Sequence, residues 1–388
     1  MTPGGGAPHE AAPSGAAPAG AAPHDVTSVC RPEALTLVEY IAGMTVEEVQ
    51  RELGLSDIVK LSSNENPWGP SPRVLETIAA TLPKLATYPE KSFFDLKGVL
   101  AEANGVAPET VFVGHGTEAL IQLIPQLYVS PGDEVVLTDV TFGRYEEASK
   151  LMGASVVRVP LRDLRFDLEA MAAKVTERTR VVWLCNPNNP TGTIVRREEV
   201  TAFLEAVPAS VAVVFDQAYF EFADDPGYPD GLEYFKAGYD NVIVLRTFSK
   251  AYGLAGLRLG YGIAAPEVRQ LLDTIKEPFN LNRLSVAAGP VALADTAWRE
   301  HCVEENRRGR ELLVAELARL GFDPVPSQTN FVFVDVKQDA DALFDRLLRR
   351  GVIVRPASGW GLPTCMRVTV GTPEQNRRFL EALAVETA

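Results

Sequence analysis

The sequence predicts an α/β protein in which a large domain, built on a mostly parallel seven-stranded sheet, is followed by a small α+β domain. Short apolar runs at 111–113, 134–138, 155–159, 181–184, 211–215, 242–245 and 259–263 alternate with helical patterns. Such alternation implies βα units and a sheet buried on both faces. Beyond residue 284 the pattern changes. Helices dominate to about 320, then strands at 330–336, 352–355 and 366–370 alternate with helices at 340–350 and 374–384, the last capped by Thr372. The 388-residue length accommodates both units. The expected division is a tail at 1–28, an N-terminal arm at 29–66, a large domain at 67–283 and a small one at 284–388.

Composition narrows the functional classes. With 51 acidic against 37 basic residues, a net charge of −14 argues against nucleic acid or an anionic membrane as partner. The four cysteines and four histidines show no disulfide framework and no metal-ligand spacing, so no metal is expected and a reducing, cytoplasmic setting fits. No apolar run approaches the ~20 residues of a membrane span. The first 24 residues, with eight Ala, five Pro and five Gly, read as a disordered tail rather than a secretory signal.

In chain order, a helix is expected at 46–53 and a short apolar segment at 58–61, while Tyr40 lies in an arm without periodicity. Residues 62–72 are dense in turn formers and read as loop. A helix then runs to residue 82, and Tyr88-Pro89 opens another connection.

Parallel sheets collect ligands at the carboxyl ends of their strands, so the residues just after each run are the informative ones. After the first run comes Gly114-His-Gly-Thr-Glu118 and a helix over 119–128. Gly116 and Thr117 at that helix start offer free backbone N–H groups to an anion, or form an ordinary cap, with His115 as spacer. After the second, Thr141-Phe-Gly-Arg-Tyr145 presents Phe142, which can stack on a planar ligand or pack in the core. After the fourth, two prolines restrict Cys185-Asn-Pro-Asn-Asn-Pro-Thr-Gly192 and hold Asn189 in one orientation, suited to a ring hydroxyl. After the fifth, Asp216-Gln-Ala-Tyr219 places a carboxylate where an isolated charge would be costly. A protonated pyridine nitrogen would pair with it, and a helix cap is the plainer role.

The sixth run leads into Thr247-Phe-Ser-Lys-Ala-Tyr-Gly-Leu-Ala-Gly-Leu-Arg258. Lys250 there has the setting of a Schiff-base amine, with Ser249 and Arg258 beside it for a phosphate. Taken together, an anion cradle, an amide, a carboxylate with a phenol, and a lysine with an arginine are the groups pyridoxal phosphate requires. In the small domain Arg355 and Arg367 flank a Gly-Trp-Gly-Leu-Pro turn at 359–363. Each is either a rim charge or a forked reader of carboxylate or phosphate.

These motifs, with Ser63-Asn-Glu-Asn-Pro-Trp-Gly-Pro70 and Arg367-Val-Thr-Val-Gly-Thr372, resemble the aspartate-aminotransferase-like, fold type I enzymes that use pyridoxal phosphate. Within that group the chain is most similar to the histidinol-phosphate and related aromatic aminotransferases, over about residues 31–383. The resemblance implies that Lys250 carries the cofactor and later shuttles a proton. It also implies that Asp216 holds the pyridine nitrogen, Asn189 and Tyr219 contact the ring hydroxyl, and Phe142 stacks on the ring. Gly116, Thr117, Ser249 and Arg258 would bind the phosphate. Family members are homodimers, which makes Tyr88 a phosphate ligand given to the neighbouring subunit. Arg367 matches the reader of the substrate α-carboxylate; Arg355, with Tyr40 from the partner arm, matches the reader of a distal phosphate or carboxylate. An amino substrate and a 2-oxo acid, 2-oxoglutarate, would alternate at the site.

Three positions depart from the family pattern or stand apart from it. Gln217 replaces the usual glutamate, the run Ala357-Ser-Gly-Trp360 replaces the more usual Leu-Gly-Gly-Tyr, and Arg283 is a cation near the site or an exposed one. The same residues also serve aminotransferases for aromatic or specialised amino acids, and decarboxylases or oxidases on this fold. A cofactor-binding regulatory module would need an appended nucleic-acid-binding domain, which the N-terminal segment does not supply.

Overall fold

A computed structural model describes residues 26–37 and 43–387. A two-residue strand, β1 (Val59–Lys60), precedes the large sheet. That sheet comprises β2 (Val111–His115), β3 (Glu134–Thr138), β4 (Ser155–Val159), β5 (Thr179–Cys185), β6 (Ala212–Asp216), β7 (Val242–Thr247) and β8 (Leu259–Ile263). The order is β2-β8-β7-β6-β5-β3-β4, and only β8 runs against its neighbours. All seven expected runs became strands: every residue of β3, β6, β7 and β8 is buried, as expected of strands covered on both faces, whereas β4, at the sheet edge, exposes Ser155 and Arg158.

The reversal of β8 places the lysine loop. Residues 248–258 leave the carboxyl end of β7 and return antiparallel, with Thr247 opposite Gly260, so Lys250 and Arg258 emerge at one end of the sheet. The helix Gly116–Tyr128 starts against this loop: the Gly116 N–H donates to the Arg258 carbonyl at 2.9 Å. Gly260 is the residue that permits the approach, since a Cβ there would lie 2.4 Å from the Thr117 nitrogen. The helix begins at Gly116 rather than at 119 because Gly116, at φ +71°, makes the turn out of β2 itself.

The later strands are β9 (Asp323–Val325), β10 (Phe331–Asp335), β11 (Val352–Ile353), β12 (Arg355–Pro356) and β13 (Cys365–Thr369). Four of them form an antiparallel sheet in the order β12-β13-β10-β9, whereas β11 pairs in parallel with β1. The single strand expected over 352–355 is therefore two. Its first half hydrogen-bonds to the segment before the 62–72 loop, and its second half joins β13. β9 went unread because its sequence, Asp-Pro-Val, has neither length nor alternation. Helix boundaries followed their caps: Thr45 and Glu48 form a reciprocal capping box for Val46–Leu53, and Thr372 and Gln375 do so for Pro373–Glu386.

Two large apolar cores result among the described residues, beside smaller clusters. One surrounds the seven-stranded sheet and includes Ala288, Ala292 and Leu293 of the helix Arg283–Ala294. The other joins Val59 and Leu61 to Leu313, Leu317, Val332, Val368 and Phe379. No helix among the described residues is long and apolar enough to cross a membrane. Cys30, Cys185, Cys302 and Cys365 are free thiols.

Candidate active site

A cavity of about 360 Å³ opens at the carboxyl ends of the parallel strands, walled on its far side by residues of the four-stranded sheet and the 62–64 segment. Thr117, Phe142, Asn189, Asp216, Tyr219, Ser249, Lys250, Arg258, Arg355 and Arg367 all line it. These ten positions span 250 residues of sequence, and the strand ends bring them together.

Asp216 terminates β6 and is 3% exposed. Its Oδ2 accepts the Tyr145 hydroxyl at 2.7 Å and its Oδ1 accepts the Ala218 N–H at 3.1 Å. Burial pushes the carboxyl up to about 6, and the bond from Tyr145 acts in the opposite direction. Tyr145 is itself fixed by stacking on Trp183, with ring centroids 4.7 Å apart and planes 11° from parallel. A buried carboxylate with two donors and a raised pKa is one that a cationic neighbour would stabilise.

Lys250 faces it across the cavity. Its Nζ donates to the Ser63 carbonyl at 3.3 Å. Desolvation, then the positive field of Arg367, lowers the ammonium to about 8 from an ordinary 10.5. Half of Lys250 is then free base at pH 8, where an exposed lysine is almost wholly protonated. Its reaction with an aromatic aldehyde, followed by absorbance in the cofactor-free protein, is expected to speed up about tenfold per pH unit up to about 8 and then level. Arg367→Gln should move that midpoint upward; a midpoint near 10.5 in the wild type would refute the assignment.

Tyr219 accepts a hydrogen bond from Asn64 Nδ2 at 3.0 Å and meets the Phe331 ring edge-on. Asn64, 1% exposed, is clamped by Thr369 and by Asn330, whose Nδ2 donates to its carbonyl at 3.0 Å. Asn189 Oδ1 accepts from Arg367 Nη1 at 2.5 Å, and Arg367 Nη2 donates to the Ser62 carbonyl at 2.5 Å. Its neighbour Asn188 turns away, bonding Thr141, Thr191 and the Val140 carbonyl, and so pins the loop while Asn189 enters the cavity. Both Asn–Pro bonds of this loop are cis.

At the opposite end Thr117, Ser249 and Arg258 gather at the start of the helix Gly116–Tyr128. Gly116 does not line the cavity but borders it: a Cβ there would meet an Arg258 guanidinium nitrogen at 2.7 Å. Phe142 combines the two roles open to it, half-buried against the large core and lining the cavity, with its ring edge-on to Tyr145 at 5.7 Å. This donor set fits pyridoxal phosphate. Hydroxyls, a guanidinium and a helix N-terminus can hold the phosphate, the buried carboxylate a pyridinium, Tyr219 and Asn189 a phenolic oxygen, and Lys250 an aldehyde carbon.

Other positions fall elsewhere. Tyr88 is 76% exposed and stacked on Phe279 at 4.6 Å, in a separate groove of about 1140 Å³ lined by neither Lys250 nor Asp216. Arg283 lies in that groove, donating to Thr87 and to the Tyr88 carbonyl. Gln217 is fully buried, its side-chain amide 2.8 Å from the Tyr228 hydroxyl and near Asp230 and Arg246, and it does not line the cavity. Tyr40 lies outside the described residues. Sequence reasoning missed Tyr145, Asn64, Lys60 and Glu118, which also line the cavity. Tyr145, Glu118 and Asn64 stand in motifs that the sequence singled out without giving them a role, and Tyr145 falls in the helix Arg144–Leu151.

Residues 56–383 match the family model for aminotransferase class I and II. The chain is 46% identical over 354 residues to a histidinol-phosphate aminotransferase of Moorella thermoacetica, covering 91% of this chain and 92% of that protein. It is 46% identical over 344 residues to one of Symbiobacterium thermophilum, covering 89% and 94%. Among solved structures, the histidinol-phosphate aminotransferase of Sinorhizobium meliloti in complex with pyridoxal 5'-phosphate superposes with a TM-score of 0.85 at 32% identity, covering 93% of this chain and 98% of that one.

Proposed function

The chain belongs to the aminotransferase class I and II family, and from that premise we propose that it is a pyridoxal-phosphate-dependent histidinol-phosphate aminotransferase with 2-oxoglutarate as the paired substrate. The observation that carries this reading is the placement of the Lys250 amine in one cavity with two arginines that face each other across a strand pair. Histidinol phosphate has a phosphomonoester where an amino acid has its α-carboxylate, and 2-oxoglutarate is a dicarboxylate. A site that takes both in turn needs two cations with fork geometry.

Each role rests on position. When bound, pyridoxal phosphate supplies an aldehyde for the amino group and a ring that accepts electron density from the substrate Cα. Asp216 holds a proton on the ring nitrogen, oriented by Tyr145. Asn189 and Tyr219 fix the ring hydroxyl, Phe142 covers the ring face, and Thr117, Ser249, Arg258 and the Gly116 backbone hold the phosphate. Lys250 Nζ, half free base at about pH 8, takes the proton from the substrate Cα and returns it on the other side of the reaction. Arg367 and Arg355 bind the substrate anions, and the wall from Ser62 to Asn64 excludes water.

The same reading makes the enzyme a cytoplasmic homodimer acting in amino-acid biosynthesis, with a large domain at 67–283, a small one at 284–388 and an arm at 29–66. The groove beside Tyr88 shares Glu118 and Arg258 with the cavity, so a second copy seated there would bring its own Tyr88 to the phosphate end. Tyr40 would come from the partner's arm. The free thiols suit a reducing compartment.

The test is single-substrate turnover. Cofactor-loaded protein given histidinol phosphate without an oxo acid should convert fully from the aldehyde to the amine form of the cofactor by absorbance, at least about tenfold faster than with phenylalanine or tyrosine. Equal rates would reassign the donor to an aromatic amino acid. Released carbon dioxide or consumed oxygen would replace transamination by decarboxylation or oxidation.

A further inference from the structure

We infer that Trp360 is the positioning residue that holds Arg355 and Arg367 together as a single reader of dianions, an inference that rests on the transaminase reading of this cavity. Arg355 and Arg367 are direct partners in the β12–β13 ladder, so their side chains leave the same face of the sheet at adjacent positions. Like charges placed opposite one another repel. Anion recognition nevertheless requires them to stay close.

The indole lies where it can counter that repulsion. Its ring is 5.7 Å from the guanidinium carbon of Arg355 and 5.7 Å from that of Arg367. Both fall inside the ~6 Å range in which an aromatic face attracts a cation, and tryptophan is the strongest of the aromatic side chains in this role. One ring thus attracts two cations that repel each other, and favours the conformation in which both are near it.

The ring is itself anchored at two points. Its Nε1–H donates to the Thr141 carbonyl at 2.9 Å, one residue before Phe142. Its backbone sits in the short turn Ser358–Trp360, closed by the Trp360 N–H to the Ala357 carbonyl at 2.9 Å, and its side chain packs with Phe333 and Ala357. Trp360 therefore ties the loop that carries Phe142 to the sheet that carries the arginines. Arg367 has further fixed partners in Asn189 and Ser62, so the indole completes an arrangement already half built.

The experiment titrates the aldehyde form of the cofactor-loaded enzyme with 2-oxoglutarate by calorimetry, beside steady-state kinetics. Trp360→Leu should weaken 2-oxoglutarate binding, and raise its KM, about tenfold, with kcat within about twofold of wild type. Trp360→Phe keeps a π face and loses only the Thr141 bond, so it should stay within about threefold of wild type. Unchanged binding in Trp360→Leu overturns the inference. So do a fall in kcat with KM unaltered, a Trp360→Phe variant as weak as Trp360→Leu, and a wild type that fails to bind 2-oxoglutarate. If Trp360→Leu does not fold, Trp360→Gln is judged by the same thresholds. The titration needs no amino donor, so a wild type that binds 2-oxoglutarate without transaminating histidinol phosphate refutes the functional reading alone.

Discussion

Lys250→Ala is expected to lower kcat by about ten-thousandfold, the upper end of what a positioned proton-transfer group contributes, and to abolish the visible absorbance of lysine-bound cofactor. On the proposed roles two losses combine in this variant: the amine that would hold the aldehyde and the base that would take the Cα proton. The environment of Lys250 explains why no other residue replaces it. Desolvation and Arg367 hold its ammonium at about 8, and among the cavity's other cations an arginine cannot serve as a base at all. Lys60, also in the cavity, is ion-paired to Glu65 at 2.9 Å. Lys250→Arg should therefore be as inactive as Lys250→Ala, although it preserves charge and length. Rates within tenfold of wild type in either variant would refute the assignment.

Asp216→Asn should cost about a thousandfold in kcat, the scale of losing one preorganised electrostatic partner. The amide is of similar size, and its oxygen can accept from the Ala218 N–H while its NH2 donates to the Tyr145 hydroxyl oxygen, so the fold persists while the negative charge is lost. A second signature lies in stability. The folded carboxyl is raised to about 6 against an ordinary 3.8. Between those values the folded cofactor-free protein binds the proton that the unfolded chain has released. This group's contribution therefore falls as pH rises from about 4 to about 6, and is fully present below that window. Asp216→Asn removes the slope. In urea denaturation of the cofactor-free protein, wild type should lose stability relative to Asp216→Asn across that window; parallel pH profiles would contradict the buried-carboxylate assignment.

Much of this was legible in the chain because parallel strands announce themselves twice, by an apolar run and by the turn that ends it. Asp216, Lys250, Asn189 and Thr117 could each be named from their position after a run, without any knowledge of the sheet order. What could not be read depends on distance in sequence. Tyr145 reaches Asp216 across 71 residues and Asn64 reaches Tyr219 across 155, and no local pattern encodes either contact. The partners that pin Asn188, Thr141 and the Val140 carbonyl, likewise lie on another loop. The facing of Arg355 and Arg367 depends on ladder register, and the break after Ile353 that allows it comes from β11 pairing with a strand almost 300 residues earlier. Gln217 shows the opposite case. It is conspicuous beside Asp216 in sequence, yet strand alternation turns it to the other face, into the cluster with Tyr228 and Arg246.

The central claim is that the amine of Lys250 is the group that carries the cofactor. Borohydride reduction of the cofactor-loaded protein, with proteolysis and mass spectrometry of the product, tests it directly. One cofactor adduct per chain, on the peptide that contains Lys250, is the predicted result; an adduct on Lys60 or any other lysine, or none, would contradict it.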